Sequence, residues 1–483
     1  MDLTDPTTVT TADLRSAYRA GELTPVDALE AVLHRIDAVD GVLNSIAYLN
    51  SSEAREQAEA SATRWATGDQ LGPLDGVPVS IKDSVASTGT PWRHGAAANR
   101  RVPDSTFDAP PAARLKEAGA IVFAKTTMPD FGMLASGVSS LYGIVRNPWN
   151  LSMSPGGSSA GAGASLAAGI GWAAVGSDIA GSVRLPAGHC GLVSLKPTQG
   201  RIPHLAPSTV RSAGPMARTV AEATELLSVL SGPDARDLFS LPGGAVRVEQ
   251  CMPDLLNLPG LRVGVLTDMG YGPGLHPLVK RVVRAAADAL SAAGASVEEM
   301  EALFDHNPYP ALDRLFQVRA RAEWESLSEA GRDQVLPEIS EWSSRAVGIT
   351  GAQHENDLGA VARSAAQVQQ ALLPYDMVLS PILPGLGHRA EMVGLDPTAP
   401  LAHCSFTCWH NQTGAPAATV PFGAEEGVPV GVQIVGRRFD DARVMQVAGW
   451  LERHRTISLA WPVIPVAADP LEPALFASEY QEA

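Results

Sequence analysis

Apolar residues recur at helical spacing in several segments of the chain. Thr24 and Pro25 are typical of a helix start, and apolar residues follow them at Val26, Leu29, Val32, Leu33 and Ile36. A capping box from Thr219 to Glu222 precedes a run of leucines, and residues 278–293 carry a third amphipathic pattern. We predict helices at these three places and a helical N-terminal segment over about residues 10–65.

Short runs with strand character lie between these helices. They fall at residues 77–81, 121–124, 261–266, 296–299, 377–379 and 430–435. Strands that alternate with helices are typical of an α/β fold built around a sheet. Residues 300–370 carry few strand signals, and we predict a mostly helical variable region there. Residues 233–260 are rich in proline and glycine, which indicates a connection.

Composition and charge narrow the class of protein. Of the 483 residues, 45% are hydrophobic and 18% are charged, which supports a large folded core. The net charge of −16 disfavours bulk nucleic-acid binding because an acidic chain repels phosphate groups. Four cysteines do not form a disulfide framework, and neither a signal peptide nor a spanning helix is recognisable. We expect a cytoplasmic protein without nucleic-acid or membrane partners.

Glycine and serine are concentrated in one part of the chain. Residues 132–200 contain 14 glycines. The segment 154–164 reads Ser-Pro-Gly-Gly-Ser-Ser-Ala-Gly-Ala-Gly-Ala and runs on into apolar residues, whereas a flexible linker would stay polar. A second small-residue segment covers residues 176–191. Such segments can expose a hydroxyl group and aim several backbone N–H groups into one pocket, which is the arrangement of an oxyanion hole.

Other site patterns are weaker. Neither Ser158 nor Ser182 is the central serine of a Gly-x-Ser-x-Gly elbow, and the chain has no Gly-Lys dipeptide for a P-loop. Zinc-binding residue types cluster at His403, Cys404, Cys408 and His410, but their spacing matches no common zinc module. We predict a loop with buried thiols there and expect no metal ion or cofactor.

The serine-bearing segments carry a family pattern. It consists of Gly-Gly-Ser-Ser at 156–159, Asp-Ile-Ala-Gly-Ser-Val-Arg-Leu-Pro-Ala at 178–187, Gly-Leu-Val-Ser-Leu-Lys-Pro-Thr at 191–198 and the strand motif at 72–83. These motifs resemble the amidase signature family, whose two key serines are 24 residues apart, as Ser158 and Ser182 are. Further matches extend from about residue 20 to 455. The resemblance implies one large α/β domain over residues 1–483, with a central mixed, twisted sheet covered by helices on both faces.

The resemblance also implies roles for individual residues. Ser182 would be the nucleophile, Ser158 a bridging serine that follows a cis peptide bond, and Lys82 the base. The backbone N–H groups of Ile179, Ala180, Gly181 and Ser182 would form the oxyanion hole. Supporting roles are implied for Ser159, Asp178 and Arg184, while Lys196 is expected to be part of the scaffold. Ala180 stands where the family usually has glycine, so the geometry of the oxyanion loop stays open.

The chemistry of Lys82 is coherent with this reading. At an ordinary pKa near 10.4, only about one lysine in a thousand is neutral at pH 7.4. Burial beside the apolar strand 77–81 would lower that pKa. Neutral Lys82 could then take a proton from Ser158 while Ser158 takes one from Ser182. The alternative for a buried lysine is an ion pair, and Asp83 is adjacent.

The substrate is less constrained. We expect a small-molecule carboxylic amide, aryl or alkyl, cleaved through an acyl-enzyme by a monomer or homodimer. The alternatives are a carbamate or ester hydrolase, and a glutaminase-type subunit of a tRNA-dependent amidotransferase. That subunit usually has a Ser-Ser-Leu-Asp-Gln-type segment where this chain has residues 207–213. The candidate residues of the substrate pocket are Phe131, Met133, Leu134, Tyr142, Phe316, Trp324 and Trp409. The alternative is that these are ordinary residues of the hydrophobic core.

Overall fold

A large β-sheet forms the centre of the molecule. The computed structural model describes residues 4–205, 208–425 and 428–465, so Pro207 and residues 466–483 of the expected domain lie outside it. The strands within the described residues are β1 (Ile46–Leu49), β2 (Pro78–Lys82), β3 (Ile121–Thr126), β4 (Val138–Ser139), β5 (Gly143–Ile144), β6 (Ala173–Asp178), β7 (Val193–Lys196), β8 (Ser212–Ala217), β9 (Arg262–Val265), β10 (Ser296–Glu299), β11 (Met377–Ser380), β12 (Ala417–Glu425) and β13 (Val428–Gly436).

Helices occupy much of the remaining chain. Those in the described residues are α1 (Thr11–Ala20), α2 (Pro25–Leu43), α3 (Ser51–Thr67), α4 (Pro110–Glu117), α5 (Ala160–Ala167), α6 (Arg184–Cys190), α7 (Val220–Leu230), α8 (Pro277–Ala292), α9 (Tyr309–Ser326), α10 (Glu329–Arg332), α11 (Pro337–Ser344), α12 (Gly351–Leu372), α13 (Cys408–Gln412) and α14 (Asp441–His454). In these parts of the chain, no helix has both the length and the apolar character needed to cross a bilayer.

Eleven of the described strands join in one mixed sheet, in the order β1-β3-β2-β6-β8-β7-β12-β13-β11-β9-β10. The β2–β3 and β2–β6 pairs are parallel, while β6–β8, β7–β8 and β12–β13 are antiparallel. Every residue of β2, β3, β6, β7 and β8 is buried, so both faces of the sheet are covered at its centre. The predicted α/β fold with a central mixed sheet is confirmed.

The hydrophobic pattern located some elements and missed others. All six predicted strands are present as β2, β3, β9, β10, β11 and β13, and the three predicted helices are α2, α7 and α8. The pattern missed β6, whose sequence Ala-Ala-Val-Gly-Ser-Asp has little strand propensity, and β8, which contains Pro215. Both strands depend on burial between neighbouring strands rather than on local preference.

The sheet brings the predicted site together at the ends of two strands. Lys82 is the last residue of β2 and Asp178 the last residue of β6, and these strands are parallel neighbours with Ile81 opposite Val175. The loop that follows β6 carries Ser182. Because the carboxyl ends of parallel strands meet at one edge of a sheet, residues distant in sequence converge there.

Candidate active site

Lys82 lies at the base of the site and is fully buried. Its Nζ atom donates hydrogen bonds to Ser158 Oγ at 2.7 Å and Ser159 Oγ at 3.0 Å, with the Ser177 carbonyl oxygen at 3.5 Å. Within the described residues it forms no ion pair. Burial and the nearby positive charge of Arg211 hold the Lys82 pKa well below its usual range. The environment therefore favours a neutral amine.

The adjacent carboxylate has other partners. Asp83 accepts hydrogen bonds from the backbone N–H groups of Arg93 at 3.1 Å and Gly95 at 2.8 Å, and from the Tyr142 hydroxyl at 3.3 Å. Burial raises the pKa of Asp83, and the positive charge of Lys125 offsets part of this increase. The structure therefore does not contain the Lys82–Asp83 ion pair that the sequence left as an alternative.

The two serines of the pattern face one small pocket. Lys82, Ser158 and Ser182 line this catalytic pocket together with Phe131. The Gly157–Ser158 peptide bond is cis, as the resemblance implies. The Ser182 hydroxyl has no hydrogen-bond partner in the described part of the chain, and Ser182 is 6% exposed. The hydroxyl next to the pocket is therefore open to a bound substrate.

Three backbone N–H groups beside Ser182 are available to a ligand. Those of Ile179, Ala180 and Ser182 have no hydrogen-bond partner among the described residues, whereas the Gly181 N–H donates to Asp178 Oδ1 at 2.8 Å. The expectation of four oxyanion donors is therefore wrong for Gly181, because Asp178 uses its N–H to shape the loop. Ala180 does not adopt a positive φ angle, so its methyl group imposes no unusual backbone conformation.

Gly181 itself has a steric role. Its φ angle is +127°, and a Cβ atom there would lie 2.5 Å from Thr407 Oγ1. The Thr407 hydroxyl occupies this space and donates to the Ala180 carbonyl oxygen at 2.6 Å. The loop can approach Thr407 this closely only with glycine at position 181.

A buried ion pair supports the loop from below. Arg184 donates to both carboxylate oxygens of Asp178, at 3.0 and 2.9 Å, and both side chains are fully buried. Arg184 also donates to the Thr407 carbonyl oxygen at 2.9 Å, Gln433 Oε1 at 2.7 Å and Asn411 Oδ1 at 2.6 Å. Although burial raises the Asp178 pKa, the charge and hydrogen bonds of Arg184 hold it well below its usual range.

Sequence reasoning assigned no role to Thr407, Asn411 or Gln433 in this support. Asn411 lies in the polar run Asn-Gln-Thr-Gly at 411–414, and Gln433 is the one polar side chain of Gly-Val-Gln-Ile-Val-Gly at 431–436. They are more than 220 residues from Arg184 along the chain, so the pairing is visible only in the fold. Lys196, predicted to be scaffold, donates to the Pro197 carbonyl oxygen at 2.8 Å, and burial lowers its pKa to about 7.

Four of the seven candidate pocket residues lie beside the serines. Phe131 lines the catalytic pocket, and Met133, Leu134 and Phe316 line an adjoining apolar pocket that also contains Ser182. A larger cavity of about 550 Å³, in the size range of small-molecule sites, shares Ile179 and Phe316 with the apolar pocket. Ile179 lines all three spaces, so they adjoin one another at this residue.

The other three candidates do not line these spaces. The Tyr142 hydroxyl is held by Asp83. Trp409 is fully buried and donates its Nε1 hydrogen to the Tyr271 hydroxyl at 2.6 Å. The Trp324 ring packs against the guanidinium groups of Arg321 and Arg332, 4.1 and 4.6 Å from the ring centroid. The prediction of these residues as pocket walls is corrected, because each is committed to other partners.

The histidine- and cysteine-rich segment is part of the core. His403, Cys404, Cys408 and His410 are all buried, and burial raises the pKa of Cys408 to about 12. Among the described residues no group of three or more histidine, cysteine, aspartate or glutamate side chains is placed to hold a metal ion. The prediction of buried thiols in this segment is confirmed.

Comparisons with known proteins agree with this geometry. A family model described as Amidase matches residues 27–445. A glutamyl-tRNA(Gln) amidotransferase subunit from Roseiflexus sp. (strain RS-1) is 33% identical over 489 residues, covering 95% of this chain and 99% of that protein. A bacterial aryl acylamidase structure has a TM-score of 0.84 at 25% identity, covering 94% of this chain and 96% of its own. A substrate complex of 6-aminohexanoate cyclic dimer hydrolase has a TM-score of 0.84 at 29% identity, covering 95% and 99%.

Proposed function

Because the chain belongs to the amidase signature family and is an enzyme that acts on amide C–N bonds, we propose that it hydrolyses a small aryl or alkyl carboxylic amide through an acyl-enzyme on Ser182. The observation that carries this proposal is the 2.7 Å hydrogen bond from Lys82 Nζ to Ser158 Oγ at a pocket that Ser182 also lines. A proton acceptor, a relay and a nucleophile are thereby in one place.

The proposed reaction begins with neutral Lys82. Lys82 takes the Ser158 proton while Ser158 takes the Ser182 proton, and Ser182 Oγ attacks the amide carbonyl carbon. The N–H groups of Ile179, Ala180 and Ser182 stabilise the negative oxygen that forms. Ser158 then donates a proton to the leaving nitrogen and takes one back from Lys82, and the amine departs. Water attacks the acyl-enzyme as it gives a proton to Ser158, which passes its own to Lys82. Return of the proton through Ser158 to Ser182 releases the carboxylic acid and regenerates the Ser182 hydroxyl.

The apolar walls support an aryl or alkyl acyl group. Phe131, Met133, Leu134 and Phe316 border the space beside Ser182, and such surfaces bind apolar groups through burial. The similarity to an aryl acylamidase supports the same class. We expect catalysis without a partner protein, as a monomer or homodimer, and without a metal ion.

A second candidate function comes from the sequence relatives. Those of Roseiflexus sp. (strain RS-1) and Alkalilimnicola ehrlichii are 33% and 32% identical, and both are glutamyl-tRNA(Gln) amidotransferase subunits. This favours a glutaminase-type subunit that supplies ammonia to a partner. Glutaminase activity of the purified chain, and co-purification with a second protein from its native host, separate this candidate from the first.

The test of the proposed function is the variant Ser182→Ala with a panel of substrates. The panel contains 4-nitroanilides, a carbamate, a 4-nitrophenyl ester and glutamine, so that the alternative hydrolase activities are measured together. We expect anilide hydrolysis by the wild type and none by Ser182→Ala, with unchanged thermal denaturation. Ser52→Ala, at an exposed position of α3, is the matched control and keeps full activity. Anilide turnover by Ser182→Ala at the wild-type rate contradicts the proposal.

A further inference from the structure

An arginine that the reaction does not use lies next to the reacting groups. Arg211 directly precedes β8 and lines the catalytic pocket with Lys82, Ser158 and Ser182. Its guanidinium group has no hydrogen bond or ion pair in the described part of the chain. By contrast, the buried guanidinium group of Arg184 is bound by five acceptor atoms. The N–H donors of the Arg211 guanidinium group are therefore available to a ligand in the pocket.

A second arginine faces the adjoining cavity. Arg319 of α9 lines the 550 Å³ cavity together with Ile179, Phe316 and Val210, the residue before Arg211. Its buried Nε atom has no hydrogen-bond partner among the described residues. Arg211 and Arg319 are close enough to affect each other: burial and, next, the charge of Arg319 lower the pKa of Arg211 to about 9.

The titratable groups around Arg211 do not neutralise it. His94 and His204 have pKa values lowered to about 3, first by burial and next by Arg211, so both are neutral at pH 7. Glu323, four residues after Arg319 on α9, offsets part of the positive charge but forms no ion pair with either arginine among the described residues. An unpaired cation that is largely removed from water is costly to a fold, and an anionic ligand removes that cost.

We infer that Arg211, together with Arg319, binds a carboxylate group of the substrate, so that the enzyme prefers amides that carry an acid group. The planar guanidinium can donate two parallel hydrogen bonds to a carboxylate, which fixes its orientation as well as its charge. Because Arg211 and Ser182 line the same pocket, a short chain of atoms separates this carboxylate from the carbonyl carbon that Ser182 attacks. This inference rests on the proposed function and specifies its substrate class.

Matched pairs of substrates test the inference. On the acyl side, glutaric acid mono-4-nitroanilide is compared with hexanoyl-4-nitroanilide; on the amine side, 4-acetamidobenzoate is compared with 4-acetamidotoluene. We expect wild-type kcat/KM to be at least about tenfold higher for the acidic member of one pair, and that pair identifies the side on which the carboxylate binds. No preference in either pair overturns the inference, while hydrolysis of the neutral anilide still supports the proposed function.

The variants separate a binding role from a structural one. In Arg211→Gln the acidic-to-neutral ratio of kcat/KM is expected to fall about ten- to a hundredfold, with a smaller fall in Arg211→Lys, and Arg319→Gln reduces the same ratio. Arg321→Gln is the control, because Arg321 stacks on Trp324 and pairs with Glu325 away from the pocket. We expect Arg321→Gln to keep the wild-type ratio of kcat/KM for the acidic and neutral substrates. A ratio that is unchanged in Arg211→Gln contradicts the inference.

Direct binding supplies a readout that does not need turnover. Calorimetry measures glutarate and sulfate binding to Ser182→Ala and to the double variant Ser182→Ala/Arg211→Gln, after thermal denaturation shows that both are folded. We expect glutarate to bind Ser182→Ala and to bind the double variant at least about tenfold more weakly. Equal glutarate affinity in both proteins overturns the inference. Sulfate binding as tight as glutarate binding overturns its carboxylate specificity.

Discussion

Replacement of Lys82 by methionine tests the centre of the proposed mechanism. Methionine keeps an unbranched side chain of similar length in this fully buried position but removes the proton acceptor. A positioned general base typically contributes a rate factor of about 10²–10⁴, or about 2.7–5.5 kcal/mol of transition-state free energy. We therefore expect kcat for a 4-nitroanilide to fall by at least about a hundredfold in Lys82→Met.

The same contacts predict a small effect on folding. Lys82 forms no ion pair within the described residues, and its two short hydrogen bonds go to the Ser158 and Ser159 hydroxyls. Their loss costs about 1 kcal/mol each, and removal of the penalty for burying the Lys82 amine opposes this cost. At pH 7 the free energy of unfolding is therefore expected to fall by no more than about 2 kcal/mol relative to the wild type, as measured by chemical denaturation.

The pH dependence follows from the direction of the pKa shift. Because the folded-state pKa of Lys82 is lowered, the unfolded chain binds a proton that the folded chain does not, between the lowered pKa and the usual value near 10.5. In the wild type this difference in proton binding lowers the free energy of unfolding. The reduction is absent above that pH range, grows as the pH falls through it and is constant below it. Lys82→Met removes this pH-dependent reduction. Wild-type kcat/KM, in turn, falls when the pH drops below the lowered pKa, since Lys82 becomes charged.

The assay compares an anilide with an activated ester. An ester with a good leaving group needs little protonation, so Lys82→Met is expected to lose less activity on 4-nitrophenyl acetate than on the anilide. Lys280→Met replaces an exposed lysine of α8 and serves as the matched control, with unchanged rates. Equal losses on both substrates refute leaving-group protonation through Lys82. Full anilidase activity in Lys82→Met refutes its role as the base.

Three further predictions concern the loop and the pocket. Gly181→Ala places a Cβ atom 2.5 Å from Thr407 Oγ1, so kcat and the melting temperature are both expected to fall. A wild-type kcat in this variant contradicts the close approach of the loop to Thr407. Arg184→Met leaves the buried Asp178 carboxylate unpaired and is expected to lower the free energy of unfolding by about 3–5 kcal/mol at pH 7. Denaturation at lower pH checks this loss, which shrinks as Asp178 becomes protonated; equal stability of variant and wild type contradicts it. Phe316→Ala is expected to raise KM for an aryl amide severalfold, whereas Trp409→Phe leaves KM unchanged, as steady-state kinetics can measure.

The catalytic groups were recognisable in the sequence because each belongs to a contiguous motif. Ser158 follows two glycines, and Ser182 lies between Asp178 and Arg184, and it is the resemblance of these contiguous motifs to the amidase signature family that identifies both residues. Lys82 is one of five lysines, namely Lys82, Lys116, Lys125, Lys196 and Lys280, and only its surroundings match the strand motif. Local patterns also located the strands that are rich in β-branched residues.

Residues whose roles depend on distant partners were not recognisable. Arg211 has no local signal, because its importance comes from lining the same pocket as Lys82 and Ser182. Trp409 and Tyr142 are residue types that often form pocket walls. In this fold Trp409 donates a hydrogen bond to Tyr271, and Tyr142 donates one to Asp83, so neither side chain lines the pocket. The family resemblance implies an oxyanion-hole donor at Gly181, and only the fold shows that its N–H donates to Asp178 instead.

The distribution of charge around Lys82 explains how one fold can contain acidic groups and a neutral lysine together. Two aspartates lie near its amine, and either would favour the charged form if it were unpaired. Asp178 is bound by Arg184 through two hydrogen bonds, and Asp83 is occupied by two backbone N–H groups and the Tyr142 hydroxyl. Arg211 adds a positive charge on the pocket side. Binding of a substrate carboxylate to Arg211 would weaken that effect and raise the Lys82 pKa, which makes Lys82 a stronger base as long as its amine stays neutral at the working pH.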